Sequence, residues 1–192
     1  MKINIIILSV ALLILSFCAL FENNYFEYAA PIPYSNLKSI TLSNFKGLKL
    51  PGESLDGMGD FAFIKSNRVV QYIPGQSVTI TTLFYPCRSY VFNRDLWNND
   101  LLTHELYHMR ITEYCSRLFR QEVAGYKGDI TDFLLDDWQL KYHNIERDMQ
   151  LQYDDDSYHS YVLSQQLKWE RKVDSCLQSL IKYSNPLVVL KK

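Results

Sequence analysis

The sequence predicts an α+β fold, a small N-terminal β-sheet followed by a helical half, on three observations. Between Ala30 and about Phe92, turn signals bracket short β-rich runs. The pattern then changes, and Leu101 to about Val123 runs without proline or glycine. Near the C-terminus, buried-type residues recur at alternating spacings of three and four, as on a helix face packed against a body.

The first element is apolar. Lys2 precedes a run from Ile3 to Phe21 that only Asn4, Ser9 and Ser16 interrupt. A positive start and an apolar core read as a signal peptide or N-terminal membrane anchor over residues 1–21. A run near 20 residues is also long enough to span a bilayer. The expected destination is therefore the periplasm, the membrane or the secreted space. Cys18 is a candidate for lipidation, although the bulky Phe17 precedes it.

Residues 30–192 then form a single expected domain. Pro31, Pro33, Pro51-Gly52 and Pro74-Gly75 separate the candidate strands Phe61–Ile64, Val69–Ile73 and Val78–Phe84. The run Val78-Thr79-Ile80-Thr81-Thr82-Leu83 is β-branched enough to favour a strand. Asn98-Asn99-Asp100 offers caps for the helix from Leu101. A second helix is expected from Ile130 to Gln152, and a third from about Tyr158 to Tyr183, stopping before Pro186.

Composition narrows the function. Of 192 residues, 47% are hydrophobic, enough for one core without staples. Twenty basic and 21 acidic residues leave a net charge of −1, and no basic run occurs, so a nucleic-acid partner is not expected. With Cys18 in the leader, Cys87, Cys115 and Cys176 allow one disulfide and one free thiol, in three pairings. No C-x-x-C spacing supports a zinc–thiolate site.

The chemistry concentrates in His104-Glu105-Leu106-Tyr107-His108, an H-E-x-x-H pattern inside the best predicted helix. Residues i and i+4 share a helix face, so both imidazoles can reach one ion at about 2.0–2.1 Å. Glu105 flanks that ion and suits a base acting on water. A catalytic zinc site needs a third protein ligand and one open position. Candidates are His143, His159, Glu122 and Asp129. The run Asp154-Asp155-Asp156-Ser157 before His159 reads as a helix start, with carboxylates at the positive end of the dipole and near a ligand imidazole. His159 also begins the stripe His159, Val162, Gln166, Trp169, Val173, Cys176, Leu180, while His104 and His108 share one with Ile111 and Cys115. If the histidines meet, Cys115 lies about 10 Å and Cys176 about 25 Å along straight helices from them, an awkward disulfide pair. Glu113 and Arg117 read as an i,i+4 ion pair, and Tyr153 or Tyr158 as a candidate oxyanion donor.

These residues resemble a bacterial domain-of-unknown-function family described as predicted secreted zinc-dependent proteases. Leu42-Ser43-Asn44-Phe45-Lys46-Gly47 is similar to its Trp-Ser-Asp-Phe-Lys-Gly element, and Arg88-Ser89-Tyr90-Val91 to its Lys-Ser-Trp-Val strand. Leu102 to Arg117 resembles its H-E-x-x-H helix, keeping Ile111, Glu113 and Arg117. Tyr153-Asp154 with Ser157, His159, Gln166 and Trp169 resembles its Tyr-Asp-x-x-Thr-x-His-Gly ending, with Ser160 in place of glycine. The resemblance implies a zincin-like domain, a Zn2+ cofactor and His159 as third ligand beside His104 and His108. It implies a hydrolase with Glu105 as general base, acting on a peptide or another envelope amide. The rival expectation is a non-catalytic zinc-binding envelope protein.

Overall fold

Along residues 77–84 every second side chain faces inward, and Val78, Ile80, Thr82 and Phe84 are all buried. That period-two pattern makes this segment the centre of a sheet. In the computed structural model, residues 2–22, 29–47, 62–91 and 98–190 are described. Chain order is helix α1 (Lys2–Glu22), then strands β1 (Ile32–Pro33), β2 (Ala62–Phe63), β3 (Ser66–Ile73), β4 (Ser77–Phe84) and β5 (Tyr90–Val91). Helices α2 (Asn99–Gly125), α3 (Asp132–Ser157) and α4 (Leu163–Ser179) follow, with a last strand β6 (Leu187–Val189). The fold is α+β.

β3 and β4 form an antiparallel hairpin through Pro74-Gly75-Gln76, and Gly75 takes the positive φ (66°) that the turn demands. β1 and β6 both pair antiparallel with β4, and β2 pairs with β5 in a second small sheet. The sheet is therefore not wholly N-terminal. β6 returns from beyond the last helix to complete it. Two- and three-residue strands carry no readable period, and their pairing is non-local. The expected turn at Pro51-Gly52 and the start of the strand at Phe61 lie outside the described residues.

α1 is helical over 21 residues, and its side chains at 6–16 are exposed. The Cys18 side chain lies outside the described residues. Among those described, no helix is long and apolar enough to cross a membrane.

α2 organises the body. The Asn98 side chain accepts from the Leu101 N–H at 2.8 Å, and the helix runs unbroken to Gly125. Its residues enter three apolar clusters. Phe119 and Val123 meet Val78, Ile80, Trp138 and Val188; Met109 meets Ile64, Phe45 and Phe84; Ile111 meets Tyr153, Trp169 and Val173. Full burial contributes about 1.5–3 kcal/mol for each such side chain. The Glu113–Arg117 pair, read as an ordinary helix pair, is in fact buried and is joined by Arg120.

The α3–α4 boundary differs from expectation. α3 continues through Asp154, Asp155 and Asp156 to Ser157, so the acidic run is a helix end and not a start. Carboxylates at the negative end of a dipole are unfavourable alone. Here tertiary partners offset that: Asp156 accepts from Trp169 Nε1 at 2.8 Å, and Asp154 faces histidines. Tyr158, His159 and Ser160 then take left-handed φ values of 48°, 50° and 75°. His159 thus stands on this turn and does not begin the helical stripe. The buried face of α4 is Gln166, Trp169, Val173 and Leu177, with Cys176 only partly covered. Cys87, Cys115 and Cys176 are free thiols, so none of the three allowed pairings forms.

Candidate metal centre

One turn of α2 separates His104 from His108, and their Nε2 atoms approach to 3.1 Å. The end of α3 brings Asp154 against both, with Oδ1 3.1 Å from His104 Nε2 and 2.9 Å from His108 Nε2. The left-handed turn that follows sets His159 Nδ1 3.7 Å from the same oxygen. His104, Asp154 and His159 form a group whose donor atoms all lie within 4.8 Å of one another and could hold a metal ion. Four donors at about 2.0–2.1 Å from one tetrahedral zinc would stand about 3.3 Å apart. Separations within the His104, Asp154 and His159 group run from 3.1 Å to at most 4.8 Å, close enough for these three to hold the ion, whereas His108, expected as a ligand, lies against His104 and Asp154 but is not part of that group.

The surroundings are largely dry. His104 is 1% exposed, and Tyr153, fully buried, stacks on its ring with centroids 4.6 Å apart. His159 is the most open of the group, its side chain one-third exposed. Burial pulls His104 down to about 4, helped by the neighbouring His108 charge and only partly opposed by Asp154. Burial also disfavours charge on His108, but Asp154, Glu105 and Gln150 outweigh it and push that ring up to about 9. For Asp154 burial works upward, yet His108 and His104 hold its carboxyl well below the usual carboxylate range.

A cavity of about 460 Å³ opens onto these groups. Glu105, 3% exposed, lines it together with His104, His108, Asp154 and His159. Phe63, Lys65 and Asn67 from the β2–β3 segment and Leu151 of α3 also line it. The volume suits a small-molecule or side-chain-sized ligand.

The other candidates stand elsewhere. His143 is exposed and lines the cavity, outside the donor group. Glu122 is engaged by Lys141 and Tyr142, at 2.7 and 2.5 Å. Asp129 lines a separate cavity with Tyr72, Tyr126 and Val189. Tyr153 is buried and does not line the donor cavity, and Tyr158 is half exposed. Sequence reasoning missed Asp154 as a donor, treating the acidic run as a helix start. Its signal was the adjacency of that run to His159. Compared with known proteins, no family model, no curated protein and no solved structure matches this chain.

Proposed function

We propose that this protein is an exported, zincin-like zinc hydrolase that cleaves a peptide bond, with Glu105 as its general base. The observation that carries the reading is a buried glutamate lining the same cavity as the three-donor group His104, Asp154 and His159, with His108 beside it. A purely structural site has no use for a base at that position. Zn2+ held there would supply Lewis acidity and an activated water. The Glu105 carboxylate takes the proton of the attacking water and returns it to the leaving amine. Tyr153 and the apolar neighbours of His104 exclude bulk water from the back of the site. The apolar run from Ile3 to Phe21 supports export. The same chemistry would serve a non-protein envelope amide, and substrate choice separates the two.

Asp154 favours a second reading. If His108, 2.9 Å from Asp154, also ligated, there would be four protein donors, the number that closes a structural zinc site and leaves no position for water. The test is zinc content and turnover on the full-length chain in detergent. We expect about one zinc per chain, lost on His104→Ala or His108→Ala and weakened far more by His159→Ala than by His143→Ala. Glu105→Gln should keep zinc and lower peptide or envelope-amide hydrolysis by about 10²–10⁴-fold. Undiminished hydrolysis in that variant removes Glu105 as the base. A zinc-loaded wild type inert on peptides and cell-wall amides favours the non-catalytic reading.

A further inference from the structure

From the Nδ1 edge of His108 runs a series of hydrogen bonds that the proposed chemistry does not use, although Ser66, Glu146 and Gln150 line the same cavity. His108 Nδ1 meets Gln150 Oε1 at 2.5 Å, and Gln150 Nε2 lies 2.9 Å from the His108 carbonyl oxygen. That carbonyl can only accept, so the Gln150 NH2 must face it and the Gln150 oxygen must face the ring. The amide is held again by Thr112 Oγ1, 3.4 Å from Gln150 Nε2. Thr112 in turn donates to Glu146 Oε1 at 2.6 Å and shares a 2.8 Å hydrogen bond with Ser66 Oγ. Arg68 completes the ladder with an ion pair to Glu146 at 3.2 Å, its side chain only 6% exposed. The ladder joins β3, α2 and α3 at one ring.

We infer that Gln150 is the positioning residue of this site: its oxygen keeps the proton on His108 Nδ1 and so leaves Nε2 as the nitrogen turned to the donors. The inference rests on the reading of that cluster as a metal site. The physical reason is complementary. An imidazole that donates from one nitrogen has the other free to ligate, and a fixed acceptor fixes both tautomer and ring angle. An amide oxygen does this without adding a second negative charge beside Glu105 and Asp154.

The test compares Gln150→Met, of similar length with no acceptor, with Gln150→Glu, which keeps an acceptor but introduces charge. Zinc affinity is measured on the full-length chain by competition with a chromophoric chelator, with thermal unfolding as the fold control. If Gln150 positions His108, Gln150→Met weakens zinc binding about 10–100-fold and Gln150→Glu stays close to wild type. A packing role reverses this order, because methionine fills the space and a partly buried carboxylate does not. Wild-type affinity in Gln150→Met, or a larger loss in Gln150→Glu, overturns the inference. Should Gln150→Met fail to fold, nitrogen-15 spectra of the wild type decide. A hydrogen-bonded His108 Nδ1–H with and without zinc supports it, and a bare Nδ1 sinks it. If wild type binds no zinc, the metal reading falls and takes this inference with it. If wild type binds zinc and a folded Gln150→Met binds it equally, only the role of Gln150 falls.

Discussion

Asp154 is the residue on which the electrostatics of the site turn, because one of its oxygens faces three imidazoles. It holds His108 charged at neutral pH, whereas burial outweighs it at His104 and keeps that ring neutral. The two histidines therefore act on stability in opposite pH windows. An unfolded histidine titrates near 6.5. Between about 4 and 6.5 the unfolded chain takes up the His104 proton first, so stability rises with pH. Between 6.5 and about 9 the folded chain retains the His108 proton that the unfolded chain has lost, so stability falls as pH rises. Asp154, depressed in the fold, adds stability above the ordinary carboxylate range and loses it in acid. For chelator-stripped protein we expect the contribution of this site to peak near pH 6.5, read from urea midpoints across the range. His108→Gln should flatten the alkaline limb, and an unchanged limb would show that His108 does not carry it.

At the scale of elements, the turn between α3 and α4 delivers His159, and it does so under backbone strain. Three consecutive residues other than glycine hold positive φ, a conformation that costs about 1–2 kcal/mol each. Neighbouring bonds oppose that cost: Val162 N–H donates to the Ser157 carbonyl at 2.8 Å, and Ser157 Oγ to the Tyr153 carbonyl at 2.6 Å. Ser160 has the largest positive φ of the three, 75°. Ser160→Gly should relieve part of the strain and raise stability by about 0.5–1 kcal/mol, measured by urea unfolding. A loss of stability would mean that the serine side chain makes a compensating contact. Residues 46–47 and 86–89, 40 positions apart, also meet. Lys46 and Gly47 N–H donate to the Pro86 and Ser89 carbonyls, and a Cβ at Gly47 would stand 2.8 Å from Ser89 O. Blocks far apart in the chain were readable separately, but their contact was not.

For the whole molecule, α2 is both the site helix and the axis of the core. Glu113, Arg117 and Arg120 sit along it in the interior, 2%, 7% and 1% exposed. Glu113 accepts from both guanidiniums, Arg120 donates to the Ile80 and Tyr183 carbonyls, and Arg117 to that of Leu177. One carboxylate thus ties the sheet and the end of α4 to α2. Glu113→Ala leaves two buried cations without their counter-ion and should cost about 3–5 kcal/mol, with the urea midpoint falling accordingly. A change below 1 kcal/mol would show that the backbone carbonyls alone satisfy the two arginines. The sequence by itself determined what short range encodes: the α+β pattern, the β3–β4 hairpin, the capped helix at Asn98, and His104 and His108 on one face. These follow from period, turn residues and i,i+4 spacing, which neighbouring residues carry. Only the tertiary structure decided that β6 returns to the sheet, that the acidic run ends a helix, that Asp154 joins the histidines and that Glu113 is buried. These depend on partners distant in the chain, such as Asp154 for His104 and Leu177 for Arg117, or on burial, which sets the charge a side chain can hold. No local pattern contains either.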